Sequence, residues 1–446
     1  MVNDLQELMR QNVAAPPPEL VDLDGLVAAG RQRARRRHRG RLAAGGAVVL
    51  TAGVVAAGAA LWPSASTGPE PAGRPPAAHG PTISLTDATR AVEGQDYRVL
   101  AHHTNANLDA DNGQYFDGVT DDGQILFQDG PRGPYWNQRL ALMDPATVEK
   151  DWLPDPDLGQ EQFWPVELGA ENLVLQSVEP DDTDGLQGTL SVRVFDRATE
   201  QWSTLQWPGL PQVRGPKNGQ VGPDGRLYVL TPATTPGPPP GGWPTAPDGD
   251  AEDADADGET SHLWSVSLTD TSDVRDEQQV VGDFAFTDDA MVWTDGSNGD
   301  PGRVHVRDLA SGEEHSFDPH TGERCNMLSL GASQDRIVMS QYCGTYDDEV
   351  RDDRVQVLST SGEPVVTLQD SGIDGWVTGG AVVVSSFRGA MAGTYVYQLD
   401  QDRLLRVSDS VSNFGMGGPT PDGLFLWHTP FNHRHGAEQW LGQLLD

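Results

Sequence analysis

Cysteine and lysine are nearly missing from this chain. Its 446 residues hold two cysteines, Cys325 and Cys343, and two lysines, Lys150 and Lys217. So few cysteines exclude a disulfide-dense small scaffold and a cysteine-rich zinc module. No Gly-x-Ser-x-Gly occurs, which excludes the nucleophile elbow of an α/β-hydrolase, and neither cysteine is placed as a catalytic residue. After residue 97 no stretch shows a convincing 3.6-residue apolar period, which excludes a helical domain there. Aspartate is so abundant that no carboxylate pair stands out as a catalytic acid and base. On these grounds the chain is not expected to be an enzyme.

Basic charge is also scarce, and it is concentrated. Residues 1–41 carry eight arginines against five acids; the remainder carries 22 basic residues against 61 acids, out of totals of 30 and 66. Such asymmetry marks two compartments. The acidic part repels anionic polymers, so nucleic acid is not an expected partner.

Between these regions lies an uncharged run of 21 residues, Leu42 to Trp62, which as a helix spans roughly 30 Å and suits a bilayer core. The run RQRARRRHRGR (31–41) precedes it, so the positive-inside rule puts the N-terminus in the cytoplasm and the rest outside. A cleaved signal peptide is the alternative, since Ser64-Ala65-Ser66 resembles a cleavage site. The apolar run is longer than a signal h-region, which favours an uncleaved single-pass anchor in the cell membrane. No cysteine follows it closely, which excludes a lipoprotein anchor. Residues 63–82 are rich in proline, glycine and small residues and read as a disordered spacer.

From residue 83 to 446 the pattern is all-β and repetitive. Short apolar strands follow polar turns at Ile125, Leu173, Leu227, Met291, Ile337, Val382 and Leu424, at spacings of 48, 54, 64, 46, 45 and 42 residues. A second strand follows each marker, as in SVRVFD (191–196) and TYVYQLD (394–400), often with a tight turn and one strand more. A period of 40–50 residues with several strands per unit predicts a β-propeller. Seven blades are counted, with six and eight as neighbouring possibilities. Residues 231–260 read as a disordered Pro-rich and acidic insertion.

These repeats resemble the WD40-like and TolB-like propellers of bacterial envelope proteins. Pro223-Asp224-Gly225 and Pro421-Asp422-Gly423 match the turn those proteins place before a strand, and Asp308-Leu309-Ala310-Ser311-Gly312 loosely matches the turn after the next. The Trp-Asp dipeptides of true WD40 repeats are absent, as are phosphate- or quinone-binding features of enzymatic propellers. The resemblance covers residues 97–446 and implies fold, not activity.

Two pairings are predicted from position alone. The last blade runs out of chain after its second strand, so Tyr97–Ala101 is expected to pair near 438–444 and close the ring. Cys325 and Cys343 each stand nine residues from Gln334, so a regular hairpin sets them opposite one another. On the oxidising side of a membrane they are expected to form a disulfide.

Candidate metal ligands are few. Asp253, Asp255 and Asp257 open like a calcium loop, but Trp264 stands where an EF-hand needs glutamate, so a solvated acidic loop is favoured. His428, His433 and His435, with His102 and His103 near them if the ring closes as predicted, would suit zinc, although ordinary rim histidines are the plainer reading. No catalytic or cofactor-binding residue is assigned, and neither calcium nor zinc is expected.

The tail offers a partner site. Asn3 can cap a helix with an apolar stripe of Leu5, Leu8, Met9 and Val13, Pro16-Pro17-Pro18 break it, and a second helix can start near Asp22. Too small to fold alone, it suits folding on a partner. Such a tail before an anchor resembles actinobacterial membrane proteins found beside extracytoplasmic-function sigma factors, and it implies a sigma factor as cytoplasmic partner. It lacks the His-x-x-x-Cys-x-x-Cys motif of the best-known anti-sigma domains, and a tail that only sets topology is the other reading. The expected function is therefore a non-enzymatic envelope sensor or scaffold whose propeller binds a protein, peptide or glycan. The alternative is an exported metal-binding or hydrolytic propeller.

Overall fold

The computed structural model describes residues 79–105, 114–129, 139–157, 163–180, 187–215, 219–233, 258–321, 325–345, 350–387, 389–412, 417–429 and 437–445. The tail (1–41), the apolar segment (42–62) and the spacer up to residue 78 lie outside them. Among the described residues no helix is long and apolar enough to cross a membrane.

Seven antiparallel sheets follow one another along the chain, forming a seven-bladed propeller. They span 115–152, 163–205, 220–281, 284–317, 325–370, 373–408 and 424–444, here blades 1 to 7. All seven sequence markers, Ile125 through Leu424, fall on corresponding strands of successive blades. Period-2 alternation sends neighbouring side chains to opposite blades. Ile125 and Phe127 pack toward blade 7, while Leu126 between them packs toward blade 2. Seven apolar clusters result, one at each boundary between consecutive blades, including the boundary of blade 7 with blade 1.

Turn chemistry fixes the hairpins. Asp144, Asp196 and Asp308 each accept the N–H groups of the residues two and three positions on, in the tight turns between third and fourth strands. In the Pro-Asp-Gly turns, Gly225 and Gly423 take positive φ, +75° and +72°, which only glycine adopts freely.

Ring closure follows the predicted pairing and extends it. A strand β1 (Thr82–Ser84) runs parallel to the outermost strand of blade 5, and β2 (Thr89–Arg90) runs parallel to that of blade 6. Then β3 (Tyr97–Asn105) pairs antiparallel with Ala437–Leu444, setting Tyr97 opposite Leu444 and Asn105 opposite Ala437. The stretch set at 63–82 as spacer is therefore already paired at Thr82, opposite Thr367. The insertion set at 231–260 is likewise paired at its ends. Thr231 and Pro232 lie opposite His262 and Ser261, and Glu259 bridges Ser297.

Cys325 and Cys343 form a disulfide with Cα atoms 4.1 Å apart. Both are buried, so the bridge is a structural staple inside blade 5.

Candidate functional site

The two faces of the ring differ in what they carry. Connections between first and second strands, and between third and fourth, never exceed six residues. Those from second to third strand leave from the opposite face and include 130–138, 233–260, 295–303 and 429–436. Function in propellers belongs with such variable connections on a rigid scaffold. On that face the seam between blades 7 and 1 gathers the most varied chemistry.

The seam is built by the closing strand. Register places His428, Gln439 and His103 in one row across three neighbouring strands, on the side of blade 7 that faces blade 1. Gln439 bridges the two blades: its Oε1 accepts the Phe116 N–H at 2.8 Å, and its amide donates to the Gln114 carbonyl. His103 Nε2 lies 2.8 Å from Gln114 Oε1, which makes the ring the donor, and Gln114 in turn donates to Asp129 at 3.0 Å. Asp129 holds Arg139 at 2.5 Å, and the Arg139 guanidinium lies 4.2 Å over Trp152. The Lys150 ammonium sits 4.5 Å over the Phe127 ring, and the His103 ring meets that ring edge-on at 4.9 Å.

Electrostatics follow from burial. His428 is pushed down to about 4 because its ring is shut away from water. His103 is also lowered, chiefly by burial and further by the Lys150 charge, against the raising effect of its bond to Gln114. Both rings are neutral at pH 7. Among the described residues Lys150 has no ion-pair partner. In a chain of net charge −36, this cation rests on an aromatic ring beside a 42% exposed tryptophan.

Two half-buried aspartates lie on or beside the inner strands. The Asp117 carboxyl, on the first strand of blade 1, is pushed up to about 7 by burial, and its Oδ2 has no hydrogen-bond partner. Asp283, beside blade 4, reaches about 6 for the same reason, although the Phe284 and Leu330 N–H groups and Arg214 oppose it. Near Asp117 the chain of blade 7 crosses toward the first two blades. Gly417 N–H donates to the Asp117 carbonyl at 2.7 Å, and a Cβ on Gly417 would lie 2.8 Å from Pro165 Cδ.

Of the predicted rim histidines, the structure brings His428 and His103 to one face but puts Gln439 between them. His102 points the other way and stacks on Trp440 at 5.0 Å. His433 and His435, like Asp253, Asp255 and Asp257, lie outside the described residues. Among the described residues no three His, Cys, Asp or Glu side chains are grouped to hold a metal. Sequence reading missed Gln114, Asp129, Arg139, Lys150 and Trp152. Lys150 had a usable signal, being one of two lysines in the chain; the others had none, since strand residues acquire meaning only once the blade neighbours are known.

The sequence matches no protein-family model and no curated protein. Solved structures align with the chain at low identity. They include a prolyl endopeptidase, at 15% identity and TM-score 0.43, over 80% of this chain and 48% of that one. An oligogalacturonate lyase from Vibrio parahaemolyticus aligns at 13% identity and TM-score 0.47, over 79% and 98%. A puromycin-hydrolyzing peptidase of Mycobacterium tuberculosis gives 11% and 0.43, over 74% and 53%. The chain thus spans about half the length of the two peptidases.

Proposed function

We propose that this chain is a membrane-anchored binding propeller that displays its seam between blades 7 and 1 to a ligand outside the cell. The observation that carries this reading is the concentration of a lysine, an exposed tryptophan and a neutral histidine around the Phe127 ring at the seam between blades 7 and 1. In the short turns after the third strands of blades 1, 2 and 4, Asp144, Asp196 and Asp308 are spent on backbone N–H groups. The ligand class that fits is an acidic peptide or glycan, its anionic group on Lys150 and its apolar face against Trp152. The basic tail and the apolar run at 42–62 support an anchor with the N-terminus inside, and the tail's apolar stripes support a cytoplasmic partner such as a sigma factor.

Peptide and glycan arrays probed with the purified outer domain test the seam. The ligand recovered should lose at least tenfold in affinity with Lys150→Met and with Trp152→Ala, and nothing with Asp308→Asn on the short-turn face. Affinity that ignores both seam variants overturns the reading. For the tail, capture of a sigma factor by residues 1–41 is the expected result, and its reproducible absence leaves topology as the tail's role.

A further inference from the structure

The segment before the first blade does two different things. Blade 7 is incomplete without β3, which contributes eight register pairs and the Ala101 side chain of the core between blades 7 and 1. Blades 5 and 6 already have their four consecutive strands, blade 5 with the short strand Val350–Arg351 beside them, and β1 and β2 are added at their outer edges by three and two register pairs. Between them, Leu85 is 1% exposed and fills the cleft between blades 5 and 6 against Val366, Leu368 and Tyr395. Ser84 and Asp87 form a capping box that folds this short turn. Beyond it, Arg90 and Asp409 pair at 2.6 Å on the surface, where such a pair stabilises little.

Asp96 marks the boundary between the two parts. It is buried, pairs with Arg403 at 2.7 Å, accepts the Val92 N–H at 2.7 Å and offers its carbonyl to Leu445 N–H. Detachment that starts upstream of Thr82 removes a leucine from its slot and a few edge hydrogen bonds, then stops at this pin. The ring stays closed because β3 is untouched.

We propose that the outer edges of blades 5 and 6, with the Leu85 slot between them, are a docking surface for an extended parallel segment, occupied in this chain by its own residues 82–91 as a releasable strap. The occupant is fixed by register: Ile83 lies opposite Leu368, and the N–H groups of Thr367 and Ala91 bond to Pro81 and Arg406 carbonyls across the edge. Release frees residues 82–95, which at roughly 3.3 Å each add about 45 Å of reach between the ring and whatever precedes it. Because the strap is covalently attached, its effective concentration is on the order of millimolar, so a separate segment competes only when the strap is weakened.

Native-state hydrogen exchange on the full wild-type chain tests the two-stage attachment. Thr367 and Ala91 amides should exchange at least tenfold faster than amides of the ladder between Tyr97–Asn105 and Ala437–Leu444. Equal protection would mean a single cooperative closure and would overturn the proposal. Docking is tested on the full chain carrying Leu85→Asp, with a labelled synthetic peptide HGPTISLTDATRAV (residues 79–92) as probe. The peptide should bind this variant at least tenfold more tightly than wild type. No binding to a variant whose β3 ladder stays protected overturns the docking surface. If the variant does not fold, the wild-type exchange pattern decides alone.

Discussion

Cys325 lies directly opposite Cys343 because one residue of the hairpin, Leu328, is left without a partner across it. From the turn at Gln334 outward, Ser333 faces Arg336 and Ser329 faces Ser340; beyond Leu328 the register shifts by one, and Met327 faces Gln341. An unbroken ladder would have set Cys343 against Asn326. The bulge turns Leu328 outward, 48% exposed, and delivers the cysteine pair.

A thiol count on the denatured, unreduced protein should therefore find no free thiol, and two after reduction. The bridge closes a separation of 18 residues, and in the chain-entropy account such a loop is worth about 3 kcal/mol. The double variant Cys325→Ser/Cys343→Ser should unfold at correspondingly lower denaturant. Free thiols in the unreduced protein would contradict the pairing.

How much of this was legible follows from how local each signal is. Blade number was readable because each marker strand needs only its own apolar residues and its own turn. The closing strand was readable because an unfinished last blade requires a donor. The cysteine pair was reached through an unbroken register that the chain does not have; a bulge depends on the packing of blade 5 and leaves no mark on sequence spacing. Strands β1 and β2 were invisible for a different reason. At three and two residues they have no period, and their pairing is dictated by edges contributed 285 and 316 residues downstream. The seam site escaped because Gln114, Asp129 and Gln439 are ordinary strand residues until His103 is brought against them.

Gln439 is the polar link of the seam, and removing it should be costly. Gln439→Ala leaves the buried Phe116 N–H and the Gln114 carbonyl without their partner. An orphaned buried backbone group costs about 1–3 kcal/mol. Urea denaturation should show a loss of that size, and Gln439→Glu should recover the bond to Phe116 N–H but not the one to the Gln114 carbonyl. An alanine variant as stable as wild type would show that the seam is held by its apolar contacts alone.

Ring closure should be intolerant of charge at Ala101. Its side chain is buried in the cluster shared by blades 7 and 1, with Phe116, Ile125 and Leu441. Ala101→Asp places a carboxylate there without a partner, a burial costing several kcal/mol, and it does so on the strand that closes the ring. The variant should lose its cooperative melt or fall many degrees in Tm, whereas Ala88→Asp upstream, in the strap, should shift the melt by only a few degrees. Equal effects at the two positions would refute the division of labour along the strap.

The stability of the ring should depend on pH through Asp117 and His428, with opposite signs. The Asp117 carboxyl titrates near 7 in the fold and near 4 when unfolded, so its contribution is intact below about pH 4 and is lost as pH rises through 7. His428 titrates near 4 in the fold and near 6.5 unfolded, so its contribution is intact above about 6.5 and is lost as pH falls through 4. Between pH 4 and 6.5 His428 offsets only one of the two raised carboxyls, Asp117 and Asp283, so wild type should lose stability as pH rises across that range. Asp117→Asn removes one of them. At about 1.4 kcal/mol per pKa unit, the variant should gain up to about 4 kcal/mol over wild type at pH 8 and nothing at pH 4. Its own stability should be nearly flat between pH 4 and 6.5, where the trends of Asp283 and His428 offset each other. Asp283 acts in the same direction as Asp117 but is common to both proteins, so it cancels in the difference. Denaturation midpoints at pH 4, 6 and 8 measure this directly, and a difference between variant and wild type that does not change with pH would show that the Asp117 carboxyl ionises freely inside the ring.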